Sequence, residues 1–567
     1  MSQAAPAAAL RSGTAPPSPF WPSPLVRLFV MLAALSLGAL LSLPGLKPTP
    51  ARTEPNFSAR RAAERARQLL GEGPRPTSSN NNVSAVERMR EWFRARGLDA
   101  EIQEATVRLH GKDTTIRNLL ARRAGSSPGK AVLLVAHHDT VPGSPGVGDN
   151  TMGVAIALEV AEFLRGGDWK GRDVILLLTD AEESGLRGAE LFVNNHRWMS
   201  EVGTVINVDS RGNGGPAVLH EVGPESANVL RAITPNLTRV VANSLFAEVA
   251  EHAPTTSDFV VFRKAGIPGL NFALIQGLDH YHAPSDTWDN ADLDGLQDLG
   301  DAVTMTVFSL ALDPADRVPS TGNAVFVDVG GGRLAWWPER TGTVVSCGCL
   351  LAITAMGWLG AKRRNGSSMH VLSAACLAGT CMLAAVLACW LPLLSLEWLG
   401  VFGPSTVAAG GTELDAYRLA YWPASGPLWQ AATMLAATLG ASLLALRLLR
   451  KLDGWAATCG AWMPVAALTA GLALLVPGAS APVLPILFFG TLTMGVVLFG
   501  LEPSSHVGGL LLAAVPSLVA GFLLAPLEVL GWSAIGLSLP AFTAGRVAVL
   551  AGLVIAIVGP RGETGRA

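Results

Sequence analysis

The sequence predicts a two-part protein: an α/β domain with a mostly parallel central sheet and helices on both faces, followed by an all-α membrane domain. Charge distribution is the first observation, because only 21 of the 86 Asp, Glu, Lys and Arg residues lie in the last 247 of the 567 residues. Composition is the second: half of all residues are hydrophobic and only 15% are charged, which is too apolar for a wholly soluble protein. In the charged part, strand patterns alternate with helix patterns, which is typical of the α/β class.

An apolar run at residues 25–43, interrupted only by Arg27, is long enough to cross a bilayer as a helix. It exceeds the hydrophobic core of a cleaved signal peptide and therefore predicts an uncleaved anchor. The Ala/Pro/Ser-rich residues 1–24 before it are predicted to form a disordered cytoplasmic tail.

The predicted soluble domain spans residues 50–315, and a linker at 316–340 joins it to a membrane domain at 341–560. About seven further spans are predicted there, at 342–361, 371–394, 428–449, 455–476, 483–500, 507–527 and 545–558. Basic clusters at 362–364 and 447–451 close two of these runs. The positive-inside rule assigns those ends to the cytoplasm. The soluble domain is therefore expected outside, with both termini, including the tail at 561–567, in the cytoplasm.

Three apolar runs in the soluble half predict buried strands at 131–136, 173–179 and 204–208. Helix patterns lie at 83–96, 153–164, 188–196 and 291–312. In such sheets, ligands bind at the carboxyl ends of the strands.

Histidine and carboxylate residues follow each of these three strands. The strand ends lead into His137-His138-Asp139, into Glu182-Glu183 and into Asp209, while Asp149 and His282 lie in loops before helices. The soluble half has no cysteine, so a metal site there must use histidine and carboxylate ligands, which suit zinc, with Mn²⁺ or Co²⁺ as alternatives. Each residue alone also has a structural explanation, such as a helix cap or a turn. Five such residues at one sheet edge indicate a metal site.

Two histidines and three carboxylates are too many ligands for one catalytic zinc ion, and they fit two ions that share a bridging carboxylate. Adjacent residues leaving a strand point in different directions. One member of the Glu182-Glu183 pair can therefore bind metal while the other faces the bound water as general base.

The motifs HHDTV, PGVGDNTMGVA, TDAEESGLRGAELF, VINVDSRGNGG and YHAPSDT resemble the di-zinc aminopeptidase family of zinc exopeptidases. Between residues 56 and 312 the chain is most similar to the membrane-bound branch typified by the endoplasmic reticulum metallopeptidase and the vacuolar membrane protease. The resemblance implies metal ligation by His137, Asp149, Glu183, Asp209 and His282, with Asp149 bridging two zinc ions, Glu182 as general base and Asp139 orienting His137. His138 stays an alternative ligand. Asp209 departs from the glutamate common in that branch, which bears on metal preference.

The resemblance implies a membrane-anchored aminopeptidase that acts on the extracytoplasmic side, with a peptide substrate and the lipid bilayer as partners. A carboxypeptidase or a non-peptide amidohydrolase is the alternative, because the metal core does not fix the substrate end. An inactive receptor-like peptidase fold is disfavoured because every site position is suitably occupied. A related di-zinc family with an inserted dimerisation domain is disfavoured because only 73 residues separate Asp209 from His282. The net charge of −2, without a basic stripe, argues against nucleic-acid binding, and no oligomeric state is predicted.

Overall fold

A computed structural model of the chain describes residues 22–51, 57–109, 111–237, 239–250, 256–313, 322–330, 333–363, 367–398, 426–449, 452, 454–501, 506–535 and 540–558. The predicted tails lie outside these residues, apart from 22–24, as do parts of the predicted linker.

The helices in chain order are α1 (Pro24–Ser42), α2 (Ala59–Leu70), α3 (Asn80–Arg94), α4 (Met152–Phe163), α5 (Arg187–Asn195), α6 (Ser226–Ile233), α7 (Ser244–Ala250), α8 (Phe259–Lys264), α9 (Leu293–Leu312), α10 (Glu339–Arg363), α11 (Ser368–Trp398), α12 (Gly426–Leu449), α13 (Gly454–Leu475), α14 (Leu484–Phe499), α15 (His506–Ile535) and α16 (Pro540–Val558). The strands are β1 (Asp99–Leu109), β2 (Lys112–Arg123), β3 (Ala131–His137), β4 (Val174–Thr179), β5 (Val202–Val208), β6 (Ala217–Val222), β7 (Val240–Ala242), β8 (Gly269–Ala273), β9 (Ala324–Asp328) and β10 (Leu334–Pro338).

The central sheet has eight strands in the order β1-β2-β4-β3-β5-β8-β6-β7. Its middle strands β4, β3, β5 and β8 are parallel to one another. The pairs β1–β2, β2–β4 and β8–β6 are antiparallel, so the sheet is mixed. The register pairs His137 with Thr179 and Val208 with Phe272, which brings the carboxyl ends of the middle strands to one edge.

Alternate residues of β3 belong to two different hydrophobic clusters, as the two-residue period of a strand requires. Val132, Leu134 and Ala136 pack in the cluster that contains α2, α3, α4 and α9. Leu133 and Val135 pack on the other face against α5 and α8. The predicted α/β fold class, with helices on both faces of the sheet, is confirmed.

Each predicted membrane run coincides with an apolar helix: α1 and α10 to α16. Among the described residues, six helices are long and apolar enough to cross a membrane, and the two shorter apolar stretches are Leu484–Phe499 and Gly545–Val558. The predicted linker range contains β9 and β10, which pair antiparallel.

The two ends of the membrane part are in direct contact. The guanidinium of Arg27, near the start of α1, donates hydrogen bonds to the carbonyls of Ile557 (3.0 Å) and Val558 (3.4 Å) at the end of α16. The start of α1 and the end of α16 therefore lie on the same side of the helix bundle. Further along α1, Gly38 packs directly on the backbone of α15.

Candidate metal centre

His137 begins the candidate site because it is the last residue of β3 and is only 2% exposed. Its Nδ1 lies 3.1 Å from the backbone carbonyl of Asp139 and 3.6 Å from the Asp139 carboxylate. Its Nε2 faces the other way, 2.9 Å from Asp149 Oδ1 and 3.6 Å from Asp209 Oδ1. His137, Asp149 and Asp209 thus form one group of possible ligand atoms.

A second group forms around His282, which follows Tyr281 in the loop after β8. The His282 Nε2 lies 2.9 Å from Asp149 Oδ2 and 3.0 Å from Glu183 Oε2. Asp149 therefore contributes one oxygen to each group, which is the arrangement expected of a bridging carboxylate. The five predicted ligands lie together, and their metal binding remains a prediction.

Asp139 connects the histidine to the glutamate pair. Its two carboxylate oxygens accept hydrogen bonds from the backbone amides of Glu182 (3.1 Å) and Glu183 (3.3 Å). The same carboxylate lies 3.6 Å from His137 Nδ1, so Asp139 lies between the imidazole and the turn after β4.

His138 points away from both groups. Its Nδ1 lies 3.3 Å from the side-chain amide nitrogen of Asn82, and its Nε2 lies 3.0 Å from the carbonyl oxygen of Arg117. These contacts occupy both ring nitrogens, so the geometry favours His137 over its neighbour as the ligand.

The loop that carries Asp149 is held by two buried residues that sequence reasoning did not single out. Asp286 accepts hydrogen bonds from the amides of Gly148 (2.8 Å) and Asp149 (3.2 Å). Arg75, only 1% exposed, donates to Thr151 Oγ1 (2.6 Å) on the same loop. Asp286 lies in the motif YHAPSDT that carries His282, so a signal for it existed in the sequence.

The two adjacent glutamates of the site are shifted towards the protonated form. Burial raises the pKa of Glu182 well above its usual range; the carboxylates of Asp209 and Asp258 reinforce this shift and His137 opposes it. Burial also raises the pKa of Glu183 to about 7. So many buried carboxylates in one place require positive charge nearby.

The histidines respond in the opposite direction. Burial alone would lower their pKa, but hydrogen bonds to Asp139, Asp149 and Asp209 raise the pKa of His137 well above its usual range. Hydrogen bonds to Asp149 and Glu183 raise the pKa of His282 to about 10. The site thus attracts cations, and metal binding would replace those protons.

Zinc fits this donor set. Two ligand atoms about 2.0 Å from a tetrahedral zinc ion are roughly 3.3 Å apart, and the separations from the histidine nitrogens to the carboxylate oxygens are 2.9–3.6 Å. In addition, Glu183 Oε1 is buried and has no hydrogen-bond partner among the described residues. An unsatisfied buried carboxylate oxygen is costly unless a ligand completes it.

A cavity of about 130 Å³ opens beside the two groups, lined by Asp149, Glu182 and Asp209. The ring of Tyr281, which also lines it, stacks on His282 with 4.0 Å between the centroids. Arg211 also lines the cavity, and its guanidinium lies over the Tyr281 ring at 5.5 Å from the ring centroid. Polar groups at one end of a cavity are typical of a binding site.

The sequence profile of peptidase family M28 matches residues 118–307. The chain is 27% identical over 378 residues to endoplasmic reticulum metallopeptidase 1 of Mus musculus, which covers 60% of this chain and 42% of that protein. It is 36% identical over 183 residues to the vacuolar membrane protease of Candida dubliniensis, which covers 32% of this chain and 19% of that protein. The chain thus spans less than half the length of these curated relatives.

Among solved structures, a zinc aminopeptidase from Bacillus subtilis superposes with a TM-score of 0.39 and 16% identity, covering 47% of this chain and 98% of that one. The sequence matches confirm the resemblance stated from the motifs. Residues 118–307 therefore match peptidase family M28, in a chain similar to an endoplasmic reticulum metallopeptidase and to a vacuolar membrane protease.

Proposed function

We propose that the protein is a membrane-anchored, zinc-dependent exopeptidase of the aminopeptidase type that acts on peptides. The observation that carries this proposal is the pair of histidine–carboxylate groups that share Asp149 beside a cavity. The similarity of the chain to an endoplasmic reticulum metallopeptidase supports the same proposal.

In this proposal His137 and Asp209 would hold one zinc ion and Glu183 and His282 would hold a second, with Asp149 as a ligand common to both groups. Bound zinc would supply a water molecule activated for attack and would polarise the scissile carbonyl. The backbone carbonyl oxygen of Asp139 lies 3.1 Å from His137 Nδ1 and its carboxylate lies 3.6 Å away, an arrangement that would hold the imidazole in the tautomer with Nε2 free for a metal.

Glu182 acts as the general base and then as the general acid. Its carboxylate lines the cavity but belongs to neither ligand group, so it faces substrate and water. Burial raises the pKa of Glu182, which makes its carboxylate a stronger proton acceptor than an exposed one. Glu182 therefore accepts the proton of the attacking water and donates it to the leaving amine.

A carboxypeptidase is the second candidate, and Arg211 is the observation that favours it. The guanidinium lies in the cavity lining, two residues after Asp209. A guanidinium binds a carboxylate through paired hydrogen bonds. Such a contact would suit a substrate with a free carboxyl terminus.

We propose that the peptidase domain lies outside the cytoplasm. Arg27, Lys362, Arg363 and Arg447 all lie at helix ends remote from the peptidase domain. Arg363 reaches the carbonyl of Leu498 at the end of α14, which supports a common side for these basic residues. By the positive-inside rule this side is cytoplasmic.

A substrate panel tests whether the enzyme removes residues from the amino or the carboxyl terminus of a peptide. The panel contains aminoacyl amides, N-acetylated peptides and peptides with an amidated carboxyl terminus. Detergent-purified protein should hydrolyse the aminoacyl amides, lose this activity on chelation and regain it with Zn²⁺. Hydrolysis of N-acetylated peptides with a free carboxyl terminus, and of no aminoacyl amide, would establish the carboxypeptidase instead. No hydrolysis of any member by zinc-loaded protein contradicts the exopeptidase proposal.

A further inference from the structure

The cavity beside the candidate metal centre has a largely apolar wall. Val218, Phe246, Val249, Ile275 and Leu278 line it. Its volume of about 130 Å³ approaches that of an engineered apolar cavity of about 150 Å³ that accepts benzene. The wall therefore offers room for one large apolar side chain.

The buried polar residues at the far end of the cavity are engaged with one another. Asn271 donates hydrogen bonds to the Glu221 carboxylate (2.8 Å) and to Ser257 Oγ (3.0 Å). His220 Nε2 lies 3.4 Å from the same carboxylate. Because Glu221 already has these partners, it is poorly placed to select a basic side chain.

Helix α7 supplies part of this wall and also packs against the membrane domain. Phe246 packs in one hydrophobic cluster with Val218 and Ile275 of the cavity and with Leu527 and Leu530 of α15. The apolar wall and the end of a membrane helix therefore form one continuous packing unit.

A polar contact fixes the same helix to the loop between α13 and α14. The carboxylate of Glu248 accepts a hydrogen bond from the amide of Gly478 at 2.9 Å. The approach is close: a Cβ atom on Gly478 would lie 2.6 Å from Glu248 Cγ and 2.8 Å from the Ser244 carbonyl oxygen. Glycine at position 478 is thus required for the helix to dock this tightly.

We propose that the membrane domain completes the substrate pocket: by holding α7 through Glu248 and through α15, it shapes a wall that binds the large apolar side chain of the substrate's terminal residue. Glu248 is then a positioning residue, since it contacts the membrane loop and is absent from the cavity lining. The inference rests on the proposed exopeptidase function and names its substrate class.

The first test compares glycine, alanine, leucine, phenylalanine and arginine amides as substrates of the full-length wild-type protein. We expect kcat/KM for leucine and phenylalanine to exceed that for alanine by about 10-fold or more, the scale on which apolar pockets discriminate. Equal rates across the series, or preference for arginine, would overturn the pocket assignment while leaving the exopeptidase intact.

The second test loosens α7 with Glu248→Ala, which removes the acceptor of the Gly478 amide, and, from the other side of the contact, with Gly478→Ala. Both variants should raise KM for leucine amide about 10-fold, with kcat nearly unchanged and with alanine amide affected less than 2-fold. Glu190→Ala is the matched control, because Glu190 lies on α5 and its exposed carboxylate pairs with Arg187. Unchanged KM values in both variants would overturn the role of the membrane domain.

Two readouts do not depend on turnover. Hydrogen exchange of residues 244–250 should accelerate in Glu248→Ala and not in Glu190→Ala, even if either variant is less stable. Binding of L-leucinol should be about 10-fold tighter than binding of L-alaninol to the zinc-loaded wild type. If no amide is hydrolysed but leucinol still binds more tightly, the exopeptidase proposal fails and the pocket stands; equal binding overturns the pocket.

Discussion

At the scale of single residues, the site depends on side chains that support the proposed ligands as well as on the ligands themselves. Asp286 accepts two backbone hydrogen bonds from the loop that carries Asp149, and Asp139 plays the same part for the glutamate pair. Residues of this kind commonly tune metal affinity 10–100-fold.

Asp286→Asn should therefore lower zinc affinity. An asparagine replaces one carboxylate oxygen with an NH₂ donor, so one of the two amides from Gly148 and Asp149 would lose its acceptor. We expect the zinc dissociation constant to rise about 10–100-fold in a competition titration against a chromogenic chelator. Asp289→Asn is the control because Asp289 is exposed in the same loop. Equal affinity in the two variants would contradict a supporting role for Asp286.

Sequence reasoning identified the side chains at strand ends but not those that support them. The candidates His137, Glu183 and Asp209 could be named because parallel strands deliver their last residues to one edge. The local sequence could not show which of the adjacent residues His137 and His138 is the ligand. The choice depends on the register of β3, which turns His138 towards Asn82. Arg75 was missed because its partner Thr151 lies 76 residues away in the chain.

At the scale of secondary-structure elements, burial decided what could be predicted. Strands β3 and β4 are buried throughout and appear as continuous apolar runs. The peripheral β1 alternates exposed and buried residues and is rich in charge, and β7 has only three residues, so neither has that signature. Helix α2 buries mainly alanines beneath a strongly charged face, which hides its packing surface from a hydrophobicity pattern.

The packing of α1 on α15 depends on two glycines. A Cβ atom on Gly38 would lie 2.2 Å from the Leu518 carbonyl oxygen, and one on Gly521 would lie 2.1 Å from the Leu35 carbonyl oxygen. Small residues at such crossings let helix backbones approach closely in a membrane. The anchor is therefore an integral part of the helix bundle.

Gly38→Val should separate these two helices. Overpacking of this kind costs about 1–3 kcal/mol, and we expect a lower melting temperature of the detergent-solubilised protein. Gly440→Val provides the comparison, because a Cβ atom at Gly440 meets nothing within 4 Å. If both valine variants melt at the same temperature, the glycine crossing does not stabilise the protein.

At the scale of the whole molecule, two observations place both ends of the membrane part on one side of the helix bundle. They are the predicted number of eight apolar runs and the contact of Arg27 with the end of α16. An even number of spans returns the chain to the side where it began, and that contact brings both ends of the membrane part together. The peptidase domain packs on the opposite side, where Glu248 meets Gly478.

This layout predicts the accessibility of tags in sealed, right-side-out membrane vesicles. Epitope tags at the two termini should both be protected from added protease, and a tag inserted in the exposed turn at 126–129 of the peptidase domain should be cleaved. Detergent should expose all three tags. Termini on opposite sides, or a protected peptidase tag, would contradict the proposed orientation.

We propose a two-metal site in which Glu182 is the proton-transfer group, and this is tested by measuring zinc content and aminoacyl-amide turnover together on wild type and Glu182→Gln. We expect two zinc ions per chain in both proteins, and a loss of turnover in the variant of about 10²–10⁴-fold, the usual contribution of general acid–base catalysis. Near-wild-type turnover in Glu182→Gln, or one zinc ion per chain in the active wild type, would contradict it.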